Sequence, residues 1–265
     1  MIVPAAHSHP EKPLQGWRIL VPRGGPWGDS VAAALRAKGG SPVVAPMINF
    51  APTDDFPALE RALADLQAGA FDWMTVTSAT TVDVLSLLRT TVPPTTKVAA
   101  VGETTAAALI AAGYSVDLVP SEDNSARGLL AEWEQATGGK HPLRVLTLRS
   151  EIAKPLLTDG LTRSGHDVRS VVAYRTVGVP VEERVVTDVA SGAVHAILVT
   201  SGSVAEQVQK QLGPVPECTL VAAIGPRTAK DARAAGLRVD VVADERSASS
   251  LIGAVVRVAS ERANH

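Results

Sequence analysis

The sequence predicts an α/β protein made of two similar parallel-sheet α/β domains, and three observations support that prediction. First, short apolar segments alternate with amphipathic segments along the chain, as is typical of parallel strands covered by helices on both faces. Second, a glycine follows each of four predicted helices, where the left-handed backbone of a helix cap favours glycine: Gly39, Gly113, Gly165 and Gly236. Third, the second half of the chain repeats the first.

Taken in order, the apolar segments are predicted as strands and most of the segments between them as helices. In the first half, the predicted strands are RILVPR, SPVVAPMINF, FDWMTVTS, KVAAVG and SVDLVP. The predicted helices there are DSVAAALRAKG, DFPALERALADLQAG, ATTVDVLSLLR, ETTAAALIAAG and SARGLLAEWEQ. In the second half, RVLTLRS, DVRSVVAYRTV, AILVTS, TLVAAIG and RVDVVA are predicted as strands, and KPLLTDGLTRSG is the first of the helices.

The repeat is visible by eye, because AAVGETTAAALIAAGYSVDLV (99–119) recurs as AAIGPRTAKDARAAGLRVDVV (222–242). Residues 123 positions apart match across the copies: Gly102 with Gly225, Thr105 with Thr228, Gly113 with Gly236, Asp117 with Asp240, and Thr77–Ser78 with Thr200–Ser201. A second block, RILVPR, recurs as RVLTLR at an offset of 126. The chain is therefore an internal duplication with the block order A1, B1, A2, B2. The sequence alone leaves open whether A1 joins B1 or B2.

Composition and charge exclude several classes of protein. The chain has 265 residues and a formal net charge of −2, so it has no bulk attraction for nucleic acid or for an anionic membrane. A single cysteine, Cys218, rules out an intrachain disulfide. No apolar stretch is long enough to span a membrane, and the first residues do not resemble a signal peptide, so we expect a cytoplasmic protein. The six histidines show no metal-ligand spacing, and no nucleotide-binding loop or nucleophile motif is present.

Hydroxyl, glycine and arginine residues follow the predicted strands in both halves. In parallel sheets, ligands bind beyond the carboxyl ends of the strands, where helix starts offer free N–H groups to anions. The sequence therefore predicts anion binding in both domains, across a cleft that would suit a large polyanion. The alternative for any single hydroxyl is an ordinary helix N-cap. The candidates are Arg23, Thr77, Ser78, Thr105, Arg149, Ser201, Ser203 and Thr228.

The motifs in order resemble those of the uroporphyrinogen-III synthase family. They are a strand-end TS, a VG-x-x-TA step, an S-x-x-LL helix, V-x-AYRTV, a second TS, AIGPRTA and a final S-x-x-SLI helix, and together they span residues 17–263. The resemblance implies two α/β domains joined by a two-stranded connector. The expected bounds are residues 17–46 with 180–265, residues 55–170, connectors 47–54 and 171–179, and a disordered tail over 1–16.

The resemblance also implies an activity that needs neither cofactor nor metal. The family converts hydroxymethylbilane, a linear tetrapyrrole with eight carboxylates, into uroporphyrinogen III. The terminal hydroxyl leaves as water, the macrocycle closes, and the last ring is inverted through a spiro intermediate. By position, Tyr174 is the expected acid for the departing hydroxyl, with packing in the connector as its alternative role. Ser78, Thr105, Ser201 and Thr228 match positions that line the family's cleft.

The expected partner is a small molecule, the linear tetrapyrrole polycarboxylate, with no nucleic acid and no membrane. A transient contact with the deaminase that makes hydroxymethylbilane stays open. The chain departs from the family pattern at Ser150, where glycine is common, at Arg227, where a smaller residue is frequent, and in the TSATT stretch, which lacks a common asparagine. A different class of function also stays open, a two-lobed sensor that binds a polycarboxylate without turnover, because fold does not determine function.

Overall fold

The computed structural model describes residues 12–263 and divides the chain into two compact units. Unit 1 contains the chain up to Asn49 and again from Gly178, and unit 2 is Phe50–Val177. Both divisions fall inside the segments predicted as connectors, 47–54 and 171–179. Block A1 of the sequence repeat therefore lies in the same unit as block B2. The fold class predicted from the sequence, two parallel-sheet α/β domains, is confirmed.

In chain order, the elements of the first half are β1 (Arg18–Val21), α1 (Gly25–Ala37), β2 (Ser41–Val44), β3 (Ile48–Pro52), α2 (Phe56–Gln67), β4 (Trp73–Val76), α3 (Ala79–Leu87), β5 (Lys97–Ala100), α4 (Glu103–Ala111) and α5 (Ala126–Thr137). Those of the second half are β6 (Arg144–Ser150), α6 (Leu156–Arg163), β7 (Asp167–Gly178), α7 (Glu183–Ala190), β8 (Ala196–Val199), α8 (Gly202–Leu212), β9 (Leu220–Ala223), α9 (Pro226–Ala234), β10 (Val241–Val242) and α10 (Ala248–Ala263).

Each unit is built on one five-stranded sheet. The strand order is β10-β9-β8-β1-β2 in unit 1, where every neighbouring pair is parallel. In unit 2 the order is β3-β7-β6-β4-β5, and the pairs from β7 to β5 are parallel. The neighbours β3 and β7 are also the strands in which the chain passes between the two units. The connection is therefore two-stranded.

The duplication seen in the sequence is present in the hydrogen bonds. Strands β4 and β5 and helix α4 have the same bounds as β8, β9 and α9 once 123 is added to each residue number. The carboxylate of Asp117 accepts a hydrogen bond from Val98 N–H at 2.8 Å, and Asp240 accepts one from Val221 N–H at 2.8 Å. The two copies therefore share local geometry as well as sequence.

Both sheets are covered on their two faces, as the apolar strands predict. Unit 2 has one buried cluster beneath α2, α3 and α4 and another beneath α5 and α6, built around Leu146 and Val145 respectively. Unit 1 has one cluster around Val21 with α1 and α10 and another around Leu20 with α7 and α8. Adjacent strand residues point to opposite faces, which is why neighbours in sequence belong to different clusters.

Local predictions hold at the helix ends and need one correction at the amino terminus. Gly39, Gly113, Gly165 and Gly236 have φ of +87°, +88°, +84° and +82°, the left-handed conformation expected of them. The predicted disordered tail, 1–16, falls largely on residues 1–11, outside the described residues. Residues 12–16, however, form a turn in which Leu14 is fully buried against the core of unit 1, so this part is ordered. Among the described residues, no helix combines the length and the apolar character required to cross a membrane.

Candidate functional site

The structure brings Tyr174 and Ser78 into contact at the carboxyl edge of the unit 2 sheet. Ser78 follows the end of β4, and Tyr174 lies near the end of β7. The phenol of Tyr174 donates a hydrogen bond to Ser78 Oγ at 3.0 Å, across 96 residues of sequence. Because parallel strands end at the same edge, residues this far apart in the chain can form one site.

The hydroxyl of Ser78 is fully occupied by its neighbours. It caps α3 by accepting a hydrogen bond from Thr81 N–H at 3.2 Å, and it accepts the Tyr174 phenol as well. A serine hydroxyl has two acceptor positions and one hydrogen, so that hydrogen is the donor in the 3.1 Å contact with Thr81 Oγ1. Ser78 is therefore a helix cap that also holds the tyrosine.

The ring of Tyr174 is almost entirely buried, with 6% of the residue exposed. It meets the edge of the Phe50 ring, with the ring centres 5.3 Å apart and the planes at 83°. Beside these rings lies a groove of about 250 Å³ with largely apolar walls, which include Phe56, Leu87 and Leu88. The tyrosine hydroxyl thus stands between an apolar groove and a polar helix start.

Two further hydroxyls lie at the same edge. Thr77 Oγ1 donates to the carbonyl of Leu148 at the end of β6, at 3.4 Å. Ser150 pairs with Tyr174 across β6 and β7, where the register shifts at Arg149/Ser150, and its buried Oγ has no hydrogen-bond partner among residues 12–263. The motif comparison marked Ser150 as a departure but did not place it at the site. Its position opposite Tyr174 depends on strand register, which no local pattern reveals.

Arg149 does not join these residues. Its guanidinium donates to Ser170 Oγ at 3.2 Å and to the carbonyls of Ser150 and Glu151 at 3.1 and 3.2 Å. Ser170 in turn is bonded to Thr158 of α6, so Arg149 lies on the α6 face of the sheet, opposite the face that holds the Tyr174 ring.

In unit 1, Ser201 occupies the position equivalent to Ser78. It caps α8 by accepting a hydrogen bond from Val204 N–H at 3.2 Å, and Ser203 follows it, partly exposed, in the first turn. The preceding Thr200 is buried, and its Oγ1 has no hydrogen-bond partner among the described residues. The repeat pairs Thr200 with Thr77, although Thr200 is not among the predicted ligands. No tyrosine corresponds to Tyr174 here, since the residue 126 positions earlier is Ile48.

Thr105 and Thr228 sit in the first turns of α4 and α9, and each is only 6% exposed. Both helices begin after a glycine that provides no side-chain cap. In α4, the N–H of Glu103 donates to Asn124 Oδ1 at 3.3 Å, whereas α9 begins with Pro226, which has no N–H. The first N–H of α4 is thus already bonded and α9 has none at that position, and the two threonine side chains mainly pack beneath the helix starts.

Arg23 lies between β1 and α1 at the carboxyl edge of the unit 1 sheet. Its guanidinium stacks on the Trp27 ring, 4.9 Å from the ring centre, and burial lowers the pKa of the guanidinium. No carboxylate among residues 12–263 forms an ion pair with it, so the guanidinium is a half-buried cation that contacts an aromatic ring. The backbone around it is tight, because a Cβ on Gly28 would lie 2.2 Å from the Arg23 carbonyl oxygen.

Within the described part of the chain, no group of three or more histidine, cysteine, aspartate or glutamate side chains is placed to hold a metal ion. Unit 2 thus offers hydroxyls, a phenol and a helix start, and unit 1 separately offers hydroxyls, a guanidinium and helix starts.

Comparison with known proteins establishes the family. A family model described as uroporphyrinogen-III synthase HemD matches residues 29–253, which is most of the chain. The chain belongs to the uroporphyrinogen-III synthase family. A curated uroporphyrinogen-III synthase of Synechococcus elongatus is 29% identical over 172 residues, and this match spans 63% of each protein, less than two thirds of the relative's length.

Two solved members of the uroporphyrinogen-III synthase family have the same fold. A mutant uroporphyrinogen III synthase from the extremely thermophilic bacterium Thermus thermophilus superposes with a TM-score of 0.62 at 19% identity, covering 93% of this chain and 99% of that one. The uroporphyrinogen-III synthetase from Helicobacter pylori 26695 also gives 0.62, at 16% identity, over 91% and 99%. At such low identity these likenesses establish the two-domain α/β architecture alone.

Proposed function

We propose that this chain is a uroporphyrinogen-III synthase that cyclises hydroxymethylbilane with inversion of the last ring and loss of water. Family membership supports the reaction class. The observation that carries the proposal to particular atoms is the Tyr174–Ser78 hydrogen bond at the carboxyl edge of the unit 2 sheet. It holds a phenol at the place where ligands of parallel sheets bind.

Tyr174 acts as the acid in the first step. The bond between the terminal carbon and its hydroxyl breaks with both electrons going to the oxygen, which takes the proton of the Tyr174 phenol and departs as water. The carbon is left as a cation that the attached pyrrole stabilises, and the proton that the substrate loses on ring closure restores the phenol. To protonate the leaving oxygen, the phenol must turn its hydrogen from Ser78 Oγ to the substrate hydroxyl, a rotation about one C–O bond that leaves the ring in place. The apolar groove beside Phe50 and Tyr174 suits the face of a pyrrole ring.

The remaining task of the protein is to hold a flexible chain with its two ends together. Placing reacting groups in contact can lower a barrier by about 7–11 kcal/mol in favourable cases. We assign the substrate carboxylates to the helix starts of α4 and α9, to Arg23, and to the partly exposed hydroxyls of Ser201 and Ser203. Thr105 and Thr228 pack beneath those helix starts, and Thr77 ties the end of β4 to β6 through the Leu148 carbonyl. No step is assigned to a metal or a cofactor.

Arg149 is set aside as a carboxylate ligand in this proposal. Its Nε and Nη1 already donate to Ser170 and to two backbone carbonyls, and these bonds hold the guanidinium on the α6 face, away from Tyr174. We assign it instead to the stability of the β6 end, next to the register shift that places Ser150 opposite Tyr174.

An isomer assay tests the proposed reaction. Hydroxymethylbilane is generated in place, the protein is added, and the products are oxidised and separated into type I and type III uroporphyrin. We expect type III to predominate, because closure without an enzyme gives type I. Type I alone would overturn the synthase assignment. It would favour the second candidate, a sensor that binds a polycarboxylate without turnover, for which half-buried Arg23 is the favourable observation.

A further inference from the structure

A large cavity of unit 2 lies at the opposite edge of its sheet from Tyr174. It has a volume of about 730 Å³ and is formed by the loop that leads into β5 and the loop that follows α4. Its walls include Arg89, Pro93, Lys97, Ser115 and Asp117. A cavity of this size is in the range of small-molecule sites.

The duplicated unit shows what the same place can hold. In unit 1 the equivalent position is filled by the side chain of Arg238. Its Nη2 donates to the carbonyl of Thr219 at 2.7 Å and to that of Pro216 at 3.3 Å. Its Nε lies 2.7 Å from Asp240 Oδ1. This contact is an ion pair but not a hydrogen bond, because the N–H does not point at the oxygen. Two carbonyls and one carboxylate together bind a guanidinium there.

Unit 2 keeps the three acceptors and lacks the arginine. Adding 123 relates Pro93, Thr96 and Asp117 to Pro216, Thr219 and Asp240, and residue types are the same at all three positions. At the position of Arg238 the chain has Ser115, whose side chain is too short to reach them.

The local geometry of the acceptors is also kept in unit 2. Thr96 Oγ1 donates to the carbonyl of Phe71 at 2.6 Å, as Thr219 does to Val194 at 2.7 Å. Among residues 12–263, no side-chain donor is bonded to the carbonyl of Pro93 or of Thr96, and no cation pairs with Asp117. The acceptor set is thus built, and among the described residues only backbone N–H groups donate to it, with no side chain in the place of Arg238.

We propose that this cavity is a binding site for a small molecule that carries a guanidinium group at one end and a carboxylate at the other. The guanidinium takes the place that Arg238 occupies in unit 1 and is bound by Asp117 and the two carbonyls. A planar guanidinium suits such a set, because its donors are fixed in one plane.

The charges at the cavity favour a carboxylate at the other end of the ligand. Arg89 and Lys97 are exposed cations in its walls, whereas unit 1 has Leu212 and Leu220 at the equivalent positions. Lys97 Nζ lies 5.4 Å from the centre of the Trp73 ring, which holds it at this edge. With Asp117 as the acid, the three side chains sum to one positive charge, so they would repel a ligand that is only cationic. A carboxylate on the ligand balances them.

Calorimetric titration with three probes tests the assignment on the whole protein. L-Arginine has both groups, citrulline keeps the carboxylate but replaces the guanidinium by a neutral urea group, and agmatine keeps the guanidinium without the carboxylate. We expect arginine to bind at one site per chain, and citrulline and agmatine each to bind at least ten-fold more weakly. No binding of arginine, or equal binding of citrulline, would overturn the proposal.

A self-filling variant locates the site. Ser115→Arg gives unit 2 the side chain that fills unit 1, so arginine binding should be lost and the melting temperature should rise. Ser164→Arg, which adds an arginine at an exposed helix end of the same unit, is the matched control and should bind as the unaltered protein does. Unchanged arginine binding to Ser115→Arg would overturn the proposal.

A second variant keeps the test decisive if Ser115→Arg does not fold. In Asp117→Asn, the amide oxygen can still accept from Val98 N–H, but the negative charge is lost. We expect at least a ten-fold weaker affinity for arginine, and an unchanged affinity would contradict the assignment. None of these measurements uses the synthase reaction, so the site and the proposed function stand or fall separately.

Discussion

At the scale of single residues, the hydroxyl oxygen of Ser78 connects the start of α3 to Tyr174. Ser78 Oγ accepts from a helix N–H and from the Tyr174 phenol, and it donates to Thr81. The hydrogen bond to this oxygen fixes the position of the Tyr174 phenol oxygen, so that in the proposed reaction only the phenol hydrogen has to turn toward the substrate. Orientation of a reacting group in advance lowers the entropy cost of the chemical step.

Replacing Tyr174 by phenylalanine tests the acid role. The ring and its contact with Phe50 are kept, so the fold and melting temperature should change little. The formation of type III product should slow by roughly 10²–10⁴-fold, the usual contribution of a positioned acid. The other tyrosine offers a matched control, since Tyr114→Phe removes a phenol that donates to the Thr90 carbonyl, away from the site. A Tyr174→Phe protein with full activity would refute the assigned role.

A second residue, His166, affects how stability depends on pH. It is buried in unit 2 between α5 and β6. Trp133 Nε1–H points at its Nε2 at 3.0 Å, and Leu143 N–H points at its Nδ1 at 3.2 Å. A neutral imidazole accepts at only one nitrogen, so the second donor meets an N–H. A protonated ring would face both donors with hydrogens. Burial, and to a smaller extent the stacked His141 ring, therefore lower the pKa of His166.

The lowered pKa of His166 predicts how stability depends on pH. The unfolded chain takes up a proton near the ordinary value of 6.5, while the folded protein takes it up only at lower pH. This contribution to stability is complete above 6.5 and declines as the pH falls toward the lowered pKa. Denaturant unfolding measured between pH 7.5 and 5 should show this decline, and His166→Gln should reduce it. An identical pH dependence in both proteins would count against this account.

The pH window is chosen to separate the histidine from the carboxylates. Asp72 and Asp188 are ion-paired with Arg144 and Arg18, and side-chain hydrogen bonds from these arginines lower the pKa of each carboxyl from 3.8. Their contributions are present above pH 4 and are lost below it. They therefore do not change over the range proposed for His166.

At the scale of elements, helices α3 and α8 begin in the same way and differ in one attached group. Ser78 and Ser201 each cap the helix that follows, at 3.2 Å, but only Ser78 also holds a tyrosine. Removing a serine cap costs about 0.5–2 kcal/mol of stability. The duplication thus provides a pair of variants that share one effect and differ in the other.

Ser78→Ala and Ser201→Ala should destabilise the protein by similar amounts. Only Ser78→Ala releases the phenol of Tyr174, so it should lower kcat, whereas Ser201→Ala should act mainly on KM through the assigned carboxylate contact. Thermal melts and the isomer assay on both variants measure the two effects. Equal kcat values for the two variants would contradict the positioning role of Ser78.

At the scale of the whole molecule, the two units have separate cores. Leu146 is fully buried in unit 2, and its counterpart 126 residues earlier, Leu20, is fully buried in unit 1. No buried cluster contains residues of both units among the described residues. Because packing within a core decides how often it opens, each unit should respond to a cavity in its own core.

Leu146→Ala and Leu20→Ala form a reciprocal test of that independence. Each should cost about 2–5 kcal/mol where it is made. Amide hydrogen exchange should show faster exchange within Phe50–Val177 for Leu146→Ala and within the other unit for Leu20→Ala. Uniformly faster exchange over the whole chain in both variants would show that the units unfold together.

Much of the molecule was open to prediction from the chain itself, because the relevant forces act over a few residues. Apolar periodicity indicated the strands and helices, and glycines with positive φ marked the helix ends. The offset of 123 in the sequence recurs in hydrogen bonds such as those of Asp117 and Asp240. The amino-terminal turn was missed, because Leu14 is one apolar residue in a polar stretch and only the core it enters makes it ordered.

The α/β class, the duplication and the helix ends follow from the chain alone. Each depends on the spacing of apolar residues, glycines or matching residues along the sequence. Which residues meet is settled only by the folded molecule. That β1 lies beside β8 depends on the pairing of distant strands, and so does the contact between Tyr174 and Ser78. The side chain of Arg149 points to the α6 face because strand residues alternate, and the register shift beside it sets Ser150 opposite Tyr174. Register is a property of two strands together, and no single segment of the chain contains it.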